Sequence, residues 1–164
     1  MNRAYSPEQY LELIERTRRY IPEISITTDA MVGFPGETET AFRNTVELIK
    51  EIGPLRVHIF PYSKRENTPA YNFREPVPEG RKKKRLANLK EITQALGLAY
   101  REKFISSVCE VLVERKVFGS SDLWEGYTGN YIKVRVKSNL KLKNQLMRVR
   151  LKEAYKDFVL AEIA

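Results

Sequence analysis

A single cysteine, Cys109, stands among 164 residues. No intrachain disulfide can form, which excludes the disulfide-built secreted scaffolds. Lying between Val108 and Glu110 in a strand-like stretch, Cys109 reads as a small packed hydrophobe. No apolar run approaches the roughly 20 residues that a membrane-spanning helix requires. The opening MNRAYSPEQY has no long apolar core of the signal-peptide kind, and the expectation is a cytoplasmic chain. A repeat of solenoid length and low-complexity tracts are both lacking.

What the chain has is a normal hydrophobic share, 42%, and a formal charge of +8. The length suits one ordinary domain or two small ones. The charge is unevenly spread: Lys and Arg number 10 against 11 acids up to Val77, 8 against 3 from Pro78 to Ile105, and 11 against 7 from Ser106 onward. A basic second half suggests two modules with different work and an acidic partner such as nucleic acid.

The pattern fixes a coarse organisation. Ser6-Pro7-Glu8-Gln9 combines a hydroxyl cap, proline at the first helical position and Gln three residues after the cap, so a helix should run to about Tyr20. Ile24 to Val32 is apolar and β-branched enough for a strand. After the turn GFPGE, Phe42, Val46, Ile49 and Ile52 recur on one helical face until Gly53-Pro54. LRVHIFPY, Leu55 to Tyr62, reads as a second strand, giving a parallel βαβ unit. A loop follows, and Pro78-Glu79 opens a long helix to about Phe104 with Leu86, Leu89, Ile92, Leu96 and Tyr100 on its stripe. The run RKKKR, Arg81 to Arg85, reads first as a solvated face, with a phosphate contact as the second reading. From Ser106 the period becomes two: Ile132, Val134 and Val136 alternate with Lys133, Arg135 and Lys137. The device recurs at LKLK and at Met147, Val149 and Leu151 against Arg148, Arg150 and Lys152. Short strands about ten residues apart suggest a small β-barrel.

Two places invite ligand chemistry. Gly33 and Gly36 follow a strand and precede a helix, where α/β folds bind ligands, and glycine lets a ligand approach the main chain. Pro35 stiffens the turn, and Glu37 stands before a helix start with free N–H groups. A tight βα turn without a ligand is the competing reading. Pro61, Tyr62 and Ser63 end the neighbouring strand, where ring and backbone groups suit a flat heterocycle, although a core aromatic explains them equally. His58, between Val57 and Ile59, reads as packed and hydrogen-bonded rather than as a catalytic base.

The segments MNRAY, TTDAMVGFPGETE and IFPYSKRENTPA, in this order and spacing, resemble the C-terminal half of the radical S-adenosylmethionine domain of the tRNA methylthiotransferases. PYSKR and NYIKVRV look most like the branch acting on threonylcarbamoyladenosine beside the anticodon. Residues 106–164 resemble the TRAM domain, a small RNA-binding β-barrel. The resemblance implies a partial TIM-like α/β barrel over residues 1–105 with a trailing helix, then an all-β barrel. It places Gly33, Phe34, Pro35, Gly36 and Glu37 in the wall of an S-adenosylmethionine pocket, and Pro61, Tyr62 and Ser63 near the adenine or the substrate nucleotide. Arg3 matches the family's arginine, either as partner of a carboxylate or as a structural ion pair. Asn67 replaces the usual glycine of RxGTPA, so a somewhat different turn is expected there.

The same resemblance implies [4Fe-4S] clusters on cysteine triads, which one cysteine cannot supply. The expectation is therefore the C-terminal portion of such an enzyme: inactive alone, without catalytic or metal-binding residues, and with an N-terminal half supplied by another chain as a candidate partner. The tRNA grip is assigned to Lys133, Arg135, Lys137, Lys141 and Lys143, with Arg148, Arg150 and Lys152 behind them, while Tyr131 and Tyr127 offer stacking. A stand-alone RNA-binding module and a fragment of a ribosomal-protein methylthiotransferase are the alternatives.

Overall fold

The computed structural model describes residues 4–74 and 76–164. They form two compact units, one of residues up to 22 and 26–96, the other of residues 23–25 and 97–164.

In the first unit, helix α1 spans Pro7–Tyr20 and starts on a complete capping box between Ser6 and Gln9. Strand β1 covers Thr27–Val32, helix α2 Glu39–Ile52 and strand β2 Arg56–Pro61. The strands pair in parallel from Thr27 beside Arg56 to Val32 beside Pro61, which is the βαβ unit the periodicity predicts. β1 is shorter than the predicted Ile24–Val32: pairing with β2 begins at Thr27, and residues 24–26 precede it. Phe42, Val46 and Ile49 of α2 join Ala30, Val32 and Leu89 in one core. Gly53 ends α2 with φ 55°, a left-handed cap that favours glycine. The Arg18 guanidinium reaches the carbonyls of Ile52 and Gly53 from α1, where the helix leaves its last acceptors free.

Among the described residues, only one face of this sheet is covered. Ala30, Val32, Val57 and Ile59 meet the helices, while Asp29, His58 and Phe60 face outward and are exposed. His58 is therefore not the packed histidine expected: strand alternation puts it on the open face, beside Asp29 in the register. In the loop after β2, Asn67 has φ 63°, the region a glycine enters freely. Asparagine tolerates that region better than most residues, so the replacement keeps a glycine-like turn.

Helix α3, Glu79–Glu102, crosses from the first unit into the second at Gly97. The RKKKR run on it is not a uniform solvated face, because Arg85 is 3% exposed.

The second unit is a closed five-stranded barrel in the order β3-β4-β5-β7-β6, from Val108–Lys116, Leu123–Thr128, Lys133–Lys137, Val159–Ile163 and Gln145–Ala154. Val111, Val113, Ile132, Val134, Val136, Val149 and Leu151 fill it. Closure leaves no free edge in the barrel. The LKLK stretch is not a strand; it lies in the β5–β6 connection, with Leu142 buried and Leu140 70% exposed. Cys109 is half-buried on β3, and burial followed by the charge of Glu23 pushes its thiol pKa up. No described helix is long and apolar enough to cross a membrane.

Candidate functional site

The glycine turn is held by its own sequence. The Glu37 N–H donates to the Phe34 carbonyl at 2.9 Å, with Pro35 and a positive-φ Gly36 between them, the pattern of a type II turn. Gly33 also has φ 78°, and a Cβ there would collide with the Lys82 side chain. Glu37 is turned inward: its carboxylate accepts the Gly33 N–H at 2.7 Å and pairs with Arg85 at 2.6 Å. Arg85 also binds the Glu37 carbonyl and the Glu39 carboxylate, both at 3.0 Å. The conformation of the turn is thus locked from below by a residue of α3.

Phe34 packs edge-on against Tyr62 and Phe73, at 5.3 and 5.9 Å between ring centres. The Tyr62 N–H donates to the Val32 carbonyl and its hydroxyl to the Ala70 carbonyl. The two predicted segments therefore meet. Gly33, Pro35, Tyr62 and Ser63 line one cavity of about 370 Å³ with Lys64, Val77, Glu79 and Lys82. Phe34, Gly36, Glu37 and Pro61 are not among its lining residues, and Arg3 lies outside the described residues. One aromatic ring, that of Tyr62, and a few polar groups in a cleft of this size fit part of a nucleoside ligand. An iron-sulfur cluster does not fit: the described residues include no group of three or more Cys, His, Asp or Glu able to hold a metal.

The barrel sorts the predicted basic residues into two classes. Glu125, on β4 and 4% exposed, sits among three cations: Arg115 at 2.8 Å, Arg135 at 3.1 Å and Lys133 at 3.8 Å. Burial pushes its pKa up, but the bonds from Arg115 and Arg135 and the nearby charges outweigh burial and hold it below the usual glutamate value. Arg135 also lies 4.1 Å over the Phe158 ring, and Lys133 lies 5.9 Å over Tyr127. Lys133 and Arg135 are therefore part of the barrel's own wall. Lys152 pairs with Glu162, and Arg150 donates to the Ser106 carbonyl.

Lys137, Lys141, Lys143 and Arg148 remain exposed without an ion pair among the described residues. Lys137 ends β5, and Lys141 and Lys143 follow in the β5–β6 connection. That connection is tied to the β3–β4 one: the Ser138 N–H donates to the Asp122 carbonyl, and the Trp124 indole N–H to the Ser138 carbonyl. At this end of the barrel Phe118 is fully exposed and Leu140 protrudes. Tyr131 is 72% exposed on the β4–β5 turn, with its ring 6.3 Å from that of Tyr127. Sequence reasoning missed Glu125, Arg115 and Phe118. No spacing rule pairs a lone glutamate with cations on two neighbouring strands, but an aromatic beside the Gly119-Ser120-Ser121 turn was a readable signal.

No family model matches the chain. Over 154 residues, 94% of its length, it is 40% identical to the tRNA-2-methylthio-N(6)-dimethylallyladenosine synthase of Desulfitobacterium hafniense. The same-named protein of Geobacillus kaustophilus is 37% identical over the same number of residues. The threonylcarbamoyladenosine tRNA methylthiotransferase MtaB of Thermotoga maritima is 39% identical over 133 residues, 81% of the chain. The chain spans only about a third of the length of these relatives, 34%, 29% and 30% respectively. Across nearly all of its residues, then, its relatives are tRNA methylthiotransferases.

Proposed function

We propose that this chain is the cofactor-flanking and tRNA-gripping portion of an enzyme that methylthiolates C2 of a modified adenosine next to the tRNA anticodon. The similarity of 94% of the chain to tRNA methylthiotransferases carries this reading. The first unit is read as part of a radical S-adenosylmethionine barrel and the second as a TRAM-type barrel. Relatives named for dimethylallyladenosine and for threonylcarbamoyladenosine both match. The PYSKR and NYIKVRV wording favours threonylcarbamoyladenosine.

In this reading Gly33, Pro35, Tyr62 and Ser63 hold one side of S-adenosylmethionine, which when bound supplies the methyl group and the radical precursor. Tyr62 offers its ring, fixed by the hydroxyl bond to Ala70. Glu37 and Arg85 act by fixing the turn, not by touching the ligand. The iron-sulfur clusters belong to residues outside these 164, and no residue here is assigned an acid, base or nucleophile role. Lys137, Lys141, Lys143 and Arg148 neutralise backbone phosphates, and Phe118 and Tyr131 offer stacking surfaces.

The test is binding of fluorescent anticodon stem-loops by the full chain across a salt series, alongside calorimetry with S-adenosylmethionine. Salt-dependent RNA binding that weakens in Lys137→Ala/Lys141→Ala/Lys143→Ala is expected, with cofactor binding weakened in Tyr62→Ala. RNA binding without cofactor binding would favour a stand-alone RNA module, and no RNA binding would overturn the reading. Stem-loops carrying either modified adenosine decide the substrate: tighter binding of the dimethylallyl form would reject the threonylcarbamoyl assignment.

A further inference from the structure

The cleft between α2 and α3 is lined by Glu39, Phe42, Arg43 and Val46 from one helix and by Arg81, Lys84, Arg85 and Asn88 from the other, and it encloses about 700 Å³. We propose that it is a contact site for RNA backbone phosphates within the first unit, an inference that rests on the tRNA-binding reading above.

Helical geometry divides the run RKKKR three ways. Lys82 leans over Gly33 and pairs with Glu79 at 2.6 Å. Arg85 is buried and spent on Glu37 and Glu39. Arg81 and Lys84, three residues apart and so on one helical face, line the cleft together with Arg43 from α2. All three are exposed, and among the described residues none of their side chains has an ion pair or hydrogen bond.

Among the described residues, Glu39 is the only acid lining the cleft, and Arg85 holds its carboxylate. A merely solvated helix face intersperses acids among its bases, but the ten residues from Arg81 to Lys90 contain none. Three uncompensated cations converging from two helices repel one another unless an anion lies among them. Both helices contribute their N-terminal halves, the positive ends of their dipoles.

The form of the site selects the anion. A single phosphate or a free nucleotide is held by closely spaced backbone N–H groups at a glycine-rich turn. Here long, exposed side chains from separate turns line an open groove with an apolar floor of Phe42 and Val46, which suits successive phosphates along a strand. Both helices start at the C-terminal ends of β1 and β2, as the glycine turn does. An RNA lying across that end reaches the cleft and the cofactor cavity together.

The experiment uses the full chain, a fluorescent anticodon stem-loop and a salt titration, with circular dichroism to check helix content. Arg43→Gln/Arg81→Gln/Lys84→Gln should bind about tenfold more weakly near 0.1 M salt, and the slope of log affinity against log salt should fall by about 2. The single variant Arg81→Gln covers the case in which the triple variant misfolds. Lys83→Gln, exposed in the same run but absent from the cleft, should change binding less than Arg81→Gln. A triple variant with the parent slope, or equal effects of Lys83→Gln and Arg81→Gln, would overturn the cleft. Displacement of RNA from the parent, but not from the triple variant, by low concentrations of inorganic phosphate would reassign it to a free anion. If the parent binds RNA through Lys137, Lys141 and Lys143 and the cleft variants match it, only this inference fails. If the parent binds no RNA, the functional reading fails first.

Discussion

Arg85 and Glu37, 48 residues apart in the chain, meet at 2.6 Å beneath the glycine turn. Their side chains are 3% and 9% exposed, and Glu37 also accepts the Gly33 N–H. A turn that the sequence presents as a ligand loop is thus first a structural joint between β1, α2 and α3. Gly33 and Pro35 line the neighbouring cavity with Tyr62 and Ser63.

Removing one partner of a buried pair costs about 3–5 kcal/mol when the other charge is left uncompensated; because Glu39 still holds Arg85 at 3.0 Å, the cost of losing the Glu37 carboxylate should fall below that range. Glu37→Ala should therefore sharply raise amide exchange in β1 and α2, measured by hydrogen-exchange mass spectrometry. Glu37→Gln retains an acceptor for the Gly33 N–H and should cost less. Equal exchange in Glu37→Ala and the parent would show that the joint contributes little.

The barrel should lose stability in acid through Glu125. Its folded pKa is depressed, so its contribution is complete above the ordinary glutamate value of about 4.3 and is lost as pH falls through the lower folded value. Thermal melts followed by Trp124 fluorescence should show this acid slope flattened in Glu125→Gln. That variant should also be less stable at pH 7, by about 2 kcal/mol for the lost charged hydrogen bonds. A pH profile parallel to the parent's would contradict the assignment.

Glycines 126 and 36 should respond differently to alanine. A Cβ at Gly126 would collide with the Leu112 carbonyl and stand 2.8 Å from the Val113 Cα, both main-chain atoms that cannot yield. Gly126→Ala should cost about 3 kcal/mol of barrel stability, the upper end of the usual range for overpacking. Gly36 has φ 78° but open space, so Gly36→Ala should cost only about 1–2 kcal/mol for the left-handed backbone. Chemical denaturation of the two variants gives the comparison.

Phe118 extends fully into solvent and supports nothing in the barrel. Phe118→Ser should leave the melting temperature unchanged and weaken anticodon stem-loop binding by about 1–3 kcal/mol, the range for one stacked base. Unchanged binding would remove Phe118 from the interface.

The elements with strong periodicity were legible from residues alone. α2 announced itself through Phe42, Val46, Ile49 and Ile52, and β5 through the strict alternation around Val134. LKLK misled because an alternation of two pairs is too short to distinguish a strand from a loop that buries one leucine. His58 misled because a two-stranded sheet covered on one face leaves half of its strand residues open, whatever their neighbours in sequence.

The sequence by itself determined the parallel βαβ unit, the basic helix, the small barrel and the shared place of GFPGE and PYS at strand ends. These depend on local spacing and on backbone limits such as those of Gly33 and Gly36. Only the tertiary structure decided which charges are free. Arg85, Lys133 and Arg135 look like Arg81, Lys137 and Lys141 in a one-dimensional reading, yet the first three are held by Glu37, Glu39 and Glu125 from other elements. An ion pair acts over a few ångströms of space, and the chain separation of its partners carries no trace of it.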